Sequence, residues 1–192
     1  MKIGVLALQG DFLEHKDTLE KLGVAVIPVR QPEQLNGLDG LIIPGGESTT
    51  MLRLMHDYNL FQPLKERISD GLPVMGTCAG MILLAKKVSN PHMDSLCVMD
   101  IEVRRNAFGR QVDSFEADLC IPLLGEKPFP AVFIRAPFIE KTDSGVEVLS
   151  RLPDDTIVAA RQSNLLVLSF HPELNGDSRM HRYFLDAVVQ TG

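Results

Sequence analysis

Cys78, His171 and Glu173 are the residues of this chain whose types and surroundings could do covalent chemistry. Cys78 lies in Gly76-Thr77-Cys78-Ala79-Gly80, after the apolar run Leu72-Pro73-Val74-Met75 and before Met81-Ile82-Leu83-Leu84-Ala85. The pattern reads as a buried strand, a tight turn and a helix. Such a turn holds its central residue in a strained conformation and needs small neighbours, which Gly76 and Gly80 supply. Free N–H groups where the helix begins favour thiolate over thiol, so Cys78 is a candidate nucleophile. A cysteine buried for structural reasons has the same local signature, and the turn alone does not separate the two.

A cysteine nucleophile needs a base. Ser169-Phe170-His171-Pro172-Glu173 follows the last predicted strand, where open α/β sheets gather their ligand sites. Residues two apart in extended backbone point the same way, so His171 and Glu173 share a face, and Pro172 keeps His171 out of helical conformation. A carboxylate at one ring nitrogen would stabilise the imidazolium and orient it, leaving the other nitrogen for the sulfur. Two such features at strand ends of one α/β chain favour the catalytic reading over a chance loop histidine.

Two more stretches could bind. Pro44-Gly45-Gly46-Glu47-Ser48-Thr49-Thr50 leaves the third predicted strand and enters a helix, with Ser48 as the expected N-cap. Its adjacent glycines let backbone N–H groups approach an anion or a developing oxyanion. A nucleotide phosphate is disfavoured, because the Walker lysine is missing and Glu47 would repel it. Arg104 and Arg105, at the start of Arg104-Arg105-Asn106-Ala107-Phe108-Gly109-Arg110-Gln111, could grip a carboxylate bidentately or simply be solvated.

The elements that must position these residues alternate as β-α-β in the first half. Strands are expected at 2–8, 24–29, 38–43 and 72–75, with helices at 12–22, 61–70 and 79–87 and another after Ser48. Later strands are expected at 98–103, 115–121, 131–134, 146–149, 156–161 and 165–170, the last two joined in a hairpin by Gln162-Ser163-Asn164. A closing helix is expected over 177–190, with Met180, Phe184, Leu185 and Val188 on one face. His15 falls on the apolar face of the first helix with Phe12, Leu19 and Leu22, and reads as a core or rim residue. His56 reads as a helix C-terminal dipole partner, His92 as a loop residue and His181 as a surface or packing residue.

Composition narrows the class. A chain of 192 residues with 45% apolar content can bury a sizeable core and is expected to form a single domain, 1–192. Three cysteines at irregular spacing argue against a disulfide framework or a paired-cysteine zinc site; Cys97 and Cys120 read as small buried apolar residues. No apolar run approaches a membrane span and no signal peptide is evident, so a cytoplasmic protein is expected. A net charge of −6 without a basic run makes nucleic acid an unsuitable main partner and points to a small molecule or another protein.

The chain resembles the class I glutamine amidotransferases with a Cys-His-Glu triad, and among them the glutaminase subunits of pyridoxal 5′-phosphate synthase. The elbow at Cys78 and His171-Pro172-Glu173 match the broader class. The narrower likeness rests on Gly4-Val5-Leu6-Ala7-Leu8-Gln9-Gly10-Asp11, the loop 44–50, the segment 105–111, Phe133-Ile134-Arg135-Ala136-Pro137 and Ser169 to Leu174. The resemblance implies a three-layer, flavodoxin-like α/β fold with a mostly parallel central sheet and added antiparallel strands in the C-terminal half. It implies that Cys78 attacks the side-chain amide of glutamine, that His171 shuttles protons and that Glu173 orients His171. Backbone N–H groups of Gly46 and Ala79 would form the oxyanion hole, and Gly46, Glu47, Ser48, Arg105, Ile134 and Arg135 would hold glutamine, Glu47 meeting its ammonium group. No metal or cofactor is implied. Ammonia would pass to a (β/α)8-barrel synthase subunit, in a large hetero-oligomer of glutaminase units around a dodecameric synthase core, with Gln9 and Gly10 as candidate contacts. The alternatives are a glutaminase serving another synthase, such as imidazole glycerol phosphate synthase, and a non-catalytic cysteine sensor of similar fold.

Overall fold

The computed structural model describes residues 1–105 and 114–189. Residues 106–111 of the arginine-containing motif, the side chain of Val188 and Gln190 lie outside the described residues. The first half runs β1 (Lys2–Leu6), α1 (Phe12–Lys21), β2 (Ala25–Val29), β3 (Gly40–Ile43), α2 (Ser48–Asp57), α3 (Phe61–Ser69), β4 (Val74–Thr77) and α4 (Ala79–Leu84). The second half is mostly strand: β5 (Ala85–Ser89), β6 (Met99–Arg104), β7 (Ser114–Leu119), β8 (Phe129–Ile134), β9 (Phe138–Thr142), β10 (Glu147–Arg151), β11 (Ile157–Gln162) and β12 (Leu165–Leu168). The chain closes with α5 (Arg179–Tyr183), which continues as a π-helical turn over Phe184–Val189.

Ten strands form one sheet in the order β2-β1-β3-β4-β12-β11-β9-β6-β5, with β10 beside β11. The run from β2 to β12 is parallel, whereas β12-β11, β11-β9 and β9-β6 are antiparallel. Strands buried on both faces need apolar residues at successive positions, which is why β3 and β12 read as unbroken apolar runs. Leu41, Ile43, Val74, Leu165 and Val167 point into a core covered by α2, α3 and α4. Their neighbours Ile42, Met75, Leu166 and Leu168 point the other way, against α1, α5 and the separate β7–β8 ribbon. Three layers result, as expected.

The differences from expectation arise where tertiary pairing overrides local preference. The helix expected to reach Lys87 stops at Leu84, and Ala85 turns to φ −59, ψ 146. Residues 85–89 then pair parallel with β6. Ala and Lys are good helix formers, but here Val88 is buried while Lys86 ion-pairs with Asp100 and Asp143 and Lys87 with Glu102. Strand β9 has no period-2 signature in Phe-Ile-Glu-Lys-Thr and exists because β6 and β11 flank it. Cys97 and Cys120 are exposed, not buried: each lies just outside a strand, and Cys97 has φ 54. Among the described residues no helix is long and apolar enough to cross a membrane.

Two histidines tie the helices of the second core to one another. His15 of α1 and His181 of α5 are fully buried, with His15 Nδ1 and His181 Nε2 2.9 Å apart. Burial lowers the pKa of His181 from 6.5 to about 4. Burial, then the neighbouring His181 and His171, lowers that of His15 well below the ordinary value. The unfolded chain therefore binds protons below pH 6.5 that the native state refuses, and stability present above that pH is lost as pH falls. Each such histidine contributes a slope of up to about 1.4 kcal/mol per pH unit. We expect urea-unfolding free energies to decline from pH 6.5 towards pH 4, and the decline to be shallower in His181→Phe.

Candidate active site

Cys78 occupies the turn between β4 and α4 with φ 47 and ψ −101, a region that side chains other than hydrogen rarely adopt. Its backbone N–H donates to the Leu168 carbonyl at 2.8 Å, fastening the turn to the end of β12. The flanking glycines are demanded by packing. A β-carbon on Gly80 would lie 2.1 Å from the Ile43 carbonyl oxygen, so α4 presses directly on β3, and one on Gly76 would lie 2.7 Å from Leu84 Cδ1. The sulfur lies 3.8 Å from the Ile134 carbonyl oxygen at the end of β8.

His171 reaches the same place from β12. Its N–H donates to the Val132 carbonyl at 2.8 Å, joining the strand end to the β7–β8 ribbon. Its Nδ1 lies 2.7 Å from Glu173 Oε1 and 3.2 Å from Asp11 Oδ2. Its Nε2 is buried and makes no well-aligned hydrogen bond among the described residues. Burial works against a charge on the ring, but hydrogen bonding to Asp11, Cys78 and Glu173 outweighs it and raises the pKa well above 6.5. Burial also raises the pKa of Glu173, against the hydrogen bond to His171. Gly45 belongs to this constellation for steric reasons: a β-carbon there would sit 2.3 Å from His171 Cε1. Asp11, His171 and Glu173 place three potential ligand atoms within 4.8 Å, a cluster held together by its own hydrogen bonds.

The glycine-rich loop interlocks with the loop after β1. The Asp11 N–H donates to the Gly45 carbonyl at 3.2 Å, and the Glu47 N–H to Gln9 Oε1 at 2.7 Å. Glu47, and not Ser48, is the N-cap of α2. Its carboxylate accepts from Thr49 N at 3.1 Å, Thr50 N at 2.7 Å and Thr49 Oγ1 at 2.5 Å, whereas Ser48 is a buried first-turn residue. A carboxylate satisfies two first-turn N–H groups at once and also meets the positive end of the helix, which a serine hydroxyl does less well. Burial alone would raise the Glu47 pKa, but these hydrogen bonds hold it at about 2. Arg105 is near, with a guanidinium nitrogen 3.6 Å from Glu47 Oε1.

A cavity of about 500 Å³ brings the parts together. Gly46, Glu47, Ser48, Arg105, Ile134 and Arg135 line it with Cys78 and His171. Glu173 stands behind His171 and is buried; Ala79, at the first turn of α4, is buried as well. Asp11 and Ile82 also line the cavity, and His15, with Thr77 against it, lies behind Glu173; none of the four carried a local signal of a site role. Gly10-Asp11 marked only a turn, and nothing in the local pattern tied it to a histidine 160 positions later. A thiol beside a base oriented by a carboxylate, opening on a polar cavity, can form and hydrolyse an acyl-enzyme.

Residues 5–190 match the model of the SNO glutamine amidotransferase family. A relative from Carboxydothermus hydrogenoformans, named pyridoxal 5′-phosphate synthase subunit PdxT, is 60% identical over 99% of both chains. A solved glutamine amidotransferase superposes with a TM-score of 0.91 at 49% identity, covering 98% of each chain. The structure of PurLQS from Thermotoga maritima shares the fold alone, with a TM-score of 0.68 at 16% identity, over 97% of each chain.

The strain at residue 78 is measurable apart from chemistry. Glycine adopts positive φ without penalty, whereas alanine keeps the β-carbon and loses only the sulfur. Cys78→Gly is expected to be more stable than Cys78→Ala by about 1 kcal/mol in denaturant unfolding.

Proposed function

The chain belongs to the SNO glutamine amidotransferase family, and on that premise we propose that it is the glutaminase subunit of pyridoxal 5′-phosphate synthase, acting in vitamin B6 biosynthesis. The supporting observation is that Cys78 and His171 open on one cavity that the Gly46–Ser48 loop, Arg105, Ile134 and Arg135 also line. Neither a glutaminase serving another synthase nor a cysteine sensor is favoured by relatives of this identity.

The geometry supports a thiolate mechanism. The Cys78 sulfur attacks the side-chain amide carbon of glutamine, and the carbonyl electrons move onto oxygen, facing the N–H groups of Gly46 and Ala79. Collapse breaks the C–N bond, with His171 giving its proton to the departing nitrogen, so ammonia and a glutamyl thioester result. His171, now neutral, takes a proton from water as the water attacks the thioester, and glutamate leaves as the sulfur recovers its electrons. Glu173 keeps the ring oriented through the 2.7 Å bond at Nδ1. The substrate's carboxylate meets Arg105 and its ammonium group meets Glu47, whose pKa of about 2 keeps it anionic at any working pH. Gly46, Ser48, Ile134 and Arg135 complete the contacts.

The 192 residues act as one glutaminase domain in the cytoplasm, without a cofactor of their own. The ammonia passes to a (β/α)8-barrel synthase subunit, several glutaminase chains surrounding a dodecameric core. Gln9 both braces the Glu47 peptide and lies in the loop proposed to meet that subunit, so docking can adjust the oxyanion hole.

Cys78→Ala is expected to lower glutamine hydrolysis by on the order of 10⁴-fold or more while far-UV circular dichroism stays unchanged. Hydrolysis retained by this variant would remove the triad. Titrating the purified chain with its barrel synthase and following glutamate release is expected to raise kcat/KM; a rate unaffected by the synthase counts against the assembly.

A further inference from the structure

Glu173 spends one carboxylate oxygen on His171 and leaves the other inside the protein. Oε1 lies 2.7 Å from His171 Nδ1, whereas Oε2 is buried without a well-aligned hydrogen bond. The group nearest to satisfying Oε2 is His15 Nε2, at 3.3 Å, on a side chain with no solvent exposure. His15 is held on its other side by His181, and its Nε2 also lies 3.2 Å from Thr77 Oγ1, the residue before the nucleophile. A row therefore runs from the cavity inward: His171, Glu173, His15, His181.

We propose that His15 is a positioning residue that keeps the Glu173 carboxylate in place behind His171, by directing an Nε2–H at Oε2. This rests on the triad reading of Cys78, His171 and Glu173.

The tautomer follows from the neighbours. Were the His15 proton on Nδ1, the bare Nε2 would accept from the Thr77 hydroxyl at 3.2 Å but would hold its lone pair 3.3 Å from a carboxylate oxygen in a buried site. With the proton on Nε2, that N–H donates to Thr77 Oγ1 at 3.2 Å with its positive end 3.3 Å from Glu173 Oε2, and Nδ1 accepts from His181 Nε2–H. His181 Nδ1 is then the acceptor left over, and it is a buried atom without a partner among the described residues. The groups facing Glu173 and His15 are Asp11 from the β1–α1 turn, Thr77 at the end of β4, His171 from the β12 end, and His181 from α5. A charged His15 would meet two other imidazoles, and burial too keeps it neutral. Its contribution is thus one oriented N–H dipole. Without that dipole the Glu173 carboxylate would lose the polarised N–H nearest its second oxygen; it would then retain its proton to higher pH and support the His171 imidazolium less.

The test compares His15→Leu, which has no donor, with His15→Gln, whose amide can point an N–H at Oε2. With the synthase present, His15→Leu is expected to lower kcat roughly 10- to 100-fold, the range found for outer hydrogen-bond partners of metal-bound histidines, with KM for glutamine changed less than about twofold. The acid limb of its kcat/KM profile should move to higher pH. His15→Gln should recover most of kcat and return the limb. An unaltered kcat and profile in folded His15→Leu would overturn the proposal, and so would a His15→Gln variant as impaired as the leucine one. If His15→Leu does not fold, ¹⁵N NMR of the wild-type chain decides. A neutral His15 ring protonated at Nε2 supports the proposal; protonation at Nδ1, or at both nitrogens, overturns it. That measurement needs no glutaminase activity, whereas the glutaminase reading stands or falls with Cys78→Ala.

Discussion

Parallel pairing of β4 with β3 on one side and β12 on the other is the constraint from which the site follows. It aligns three strand ends, and each releases a different functional element: the glycine-rich loop from β3, the elbow from β4, the histidine and glutamate from β12. Parallel neighbours end on the same side of the sheet, so residues far apart in sequence arrive together without a long loop to carry them. The Cys78 N–H to Leu168 carbonyl bond extends that pairing by one residue beyond the regular strand and fixes where the sulfur points. The close approach of Gly80 to the Ile43 carbonyl does the same on the other side. The strained backbone at Cys78, which costs on the order of 1–3 kcal/mol, persists because both neighbouring strands over-determine it.

Electrostatics in the site are layered. The outer wall is polar and charged, with Glu47 kept anionic by cap hydrogen bonds and Arg105 nearby. One step inward, His171 gains its proton affinity from two carboxylates and the sulfur, against the penalty of burial. Deeper still, Glu173 and the paired imidazoles of His15 and His181 lie in a nearly dry core where each polar atom needs a specific partner. Two helices on the same face of the sheet, α1 and α5, thereby share a polar contact inside an otherwise apolar layer. Such contacts specify a single packing arrangement, because an alternative that separates the imidazoles leaves several buried polar atoms unsatisfied.

Much of this was legible in the chain itself, and for identifiable reasons. The β-α-β alternation shows in unbroken apolar runs bounded by glycine and proline, since strands buried on both faces admit few polar residues. The elbow shows because a sharp strand-to-helix turn needs Gly76 and Gly80, and the pair at His171 and Glu173 shows because extended residues two apart share a face. Each of these is a local steric or periodic rule, readable within five residues. The boundary of α4, the existence of β9 and the exposure of Cys97 and Cys120 are not of that kind, since they depend on which strands lie alongside.

The sequence by itself determined which residues could react and the order of elements that would carry them. Tertiary structure alone decided that Cys78 and His171 open on one cavity, that Asp11 joins His171, and that Glu47 caps α2 in place of Ser48. It alone also decided that His15, one more histidine on an apolar stripe, stands against the second oxygen of Glu173. The physical reason is that hydrogen bonding and desolvation act over about 3 Å of space regardless of separation along the chain. Their outcome at Cys78 is therefore settled by sheet register, while the turn that presents its sulfur is settled by two glycines beside it.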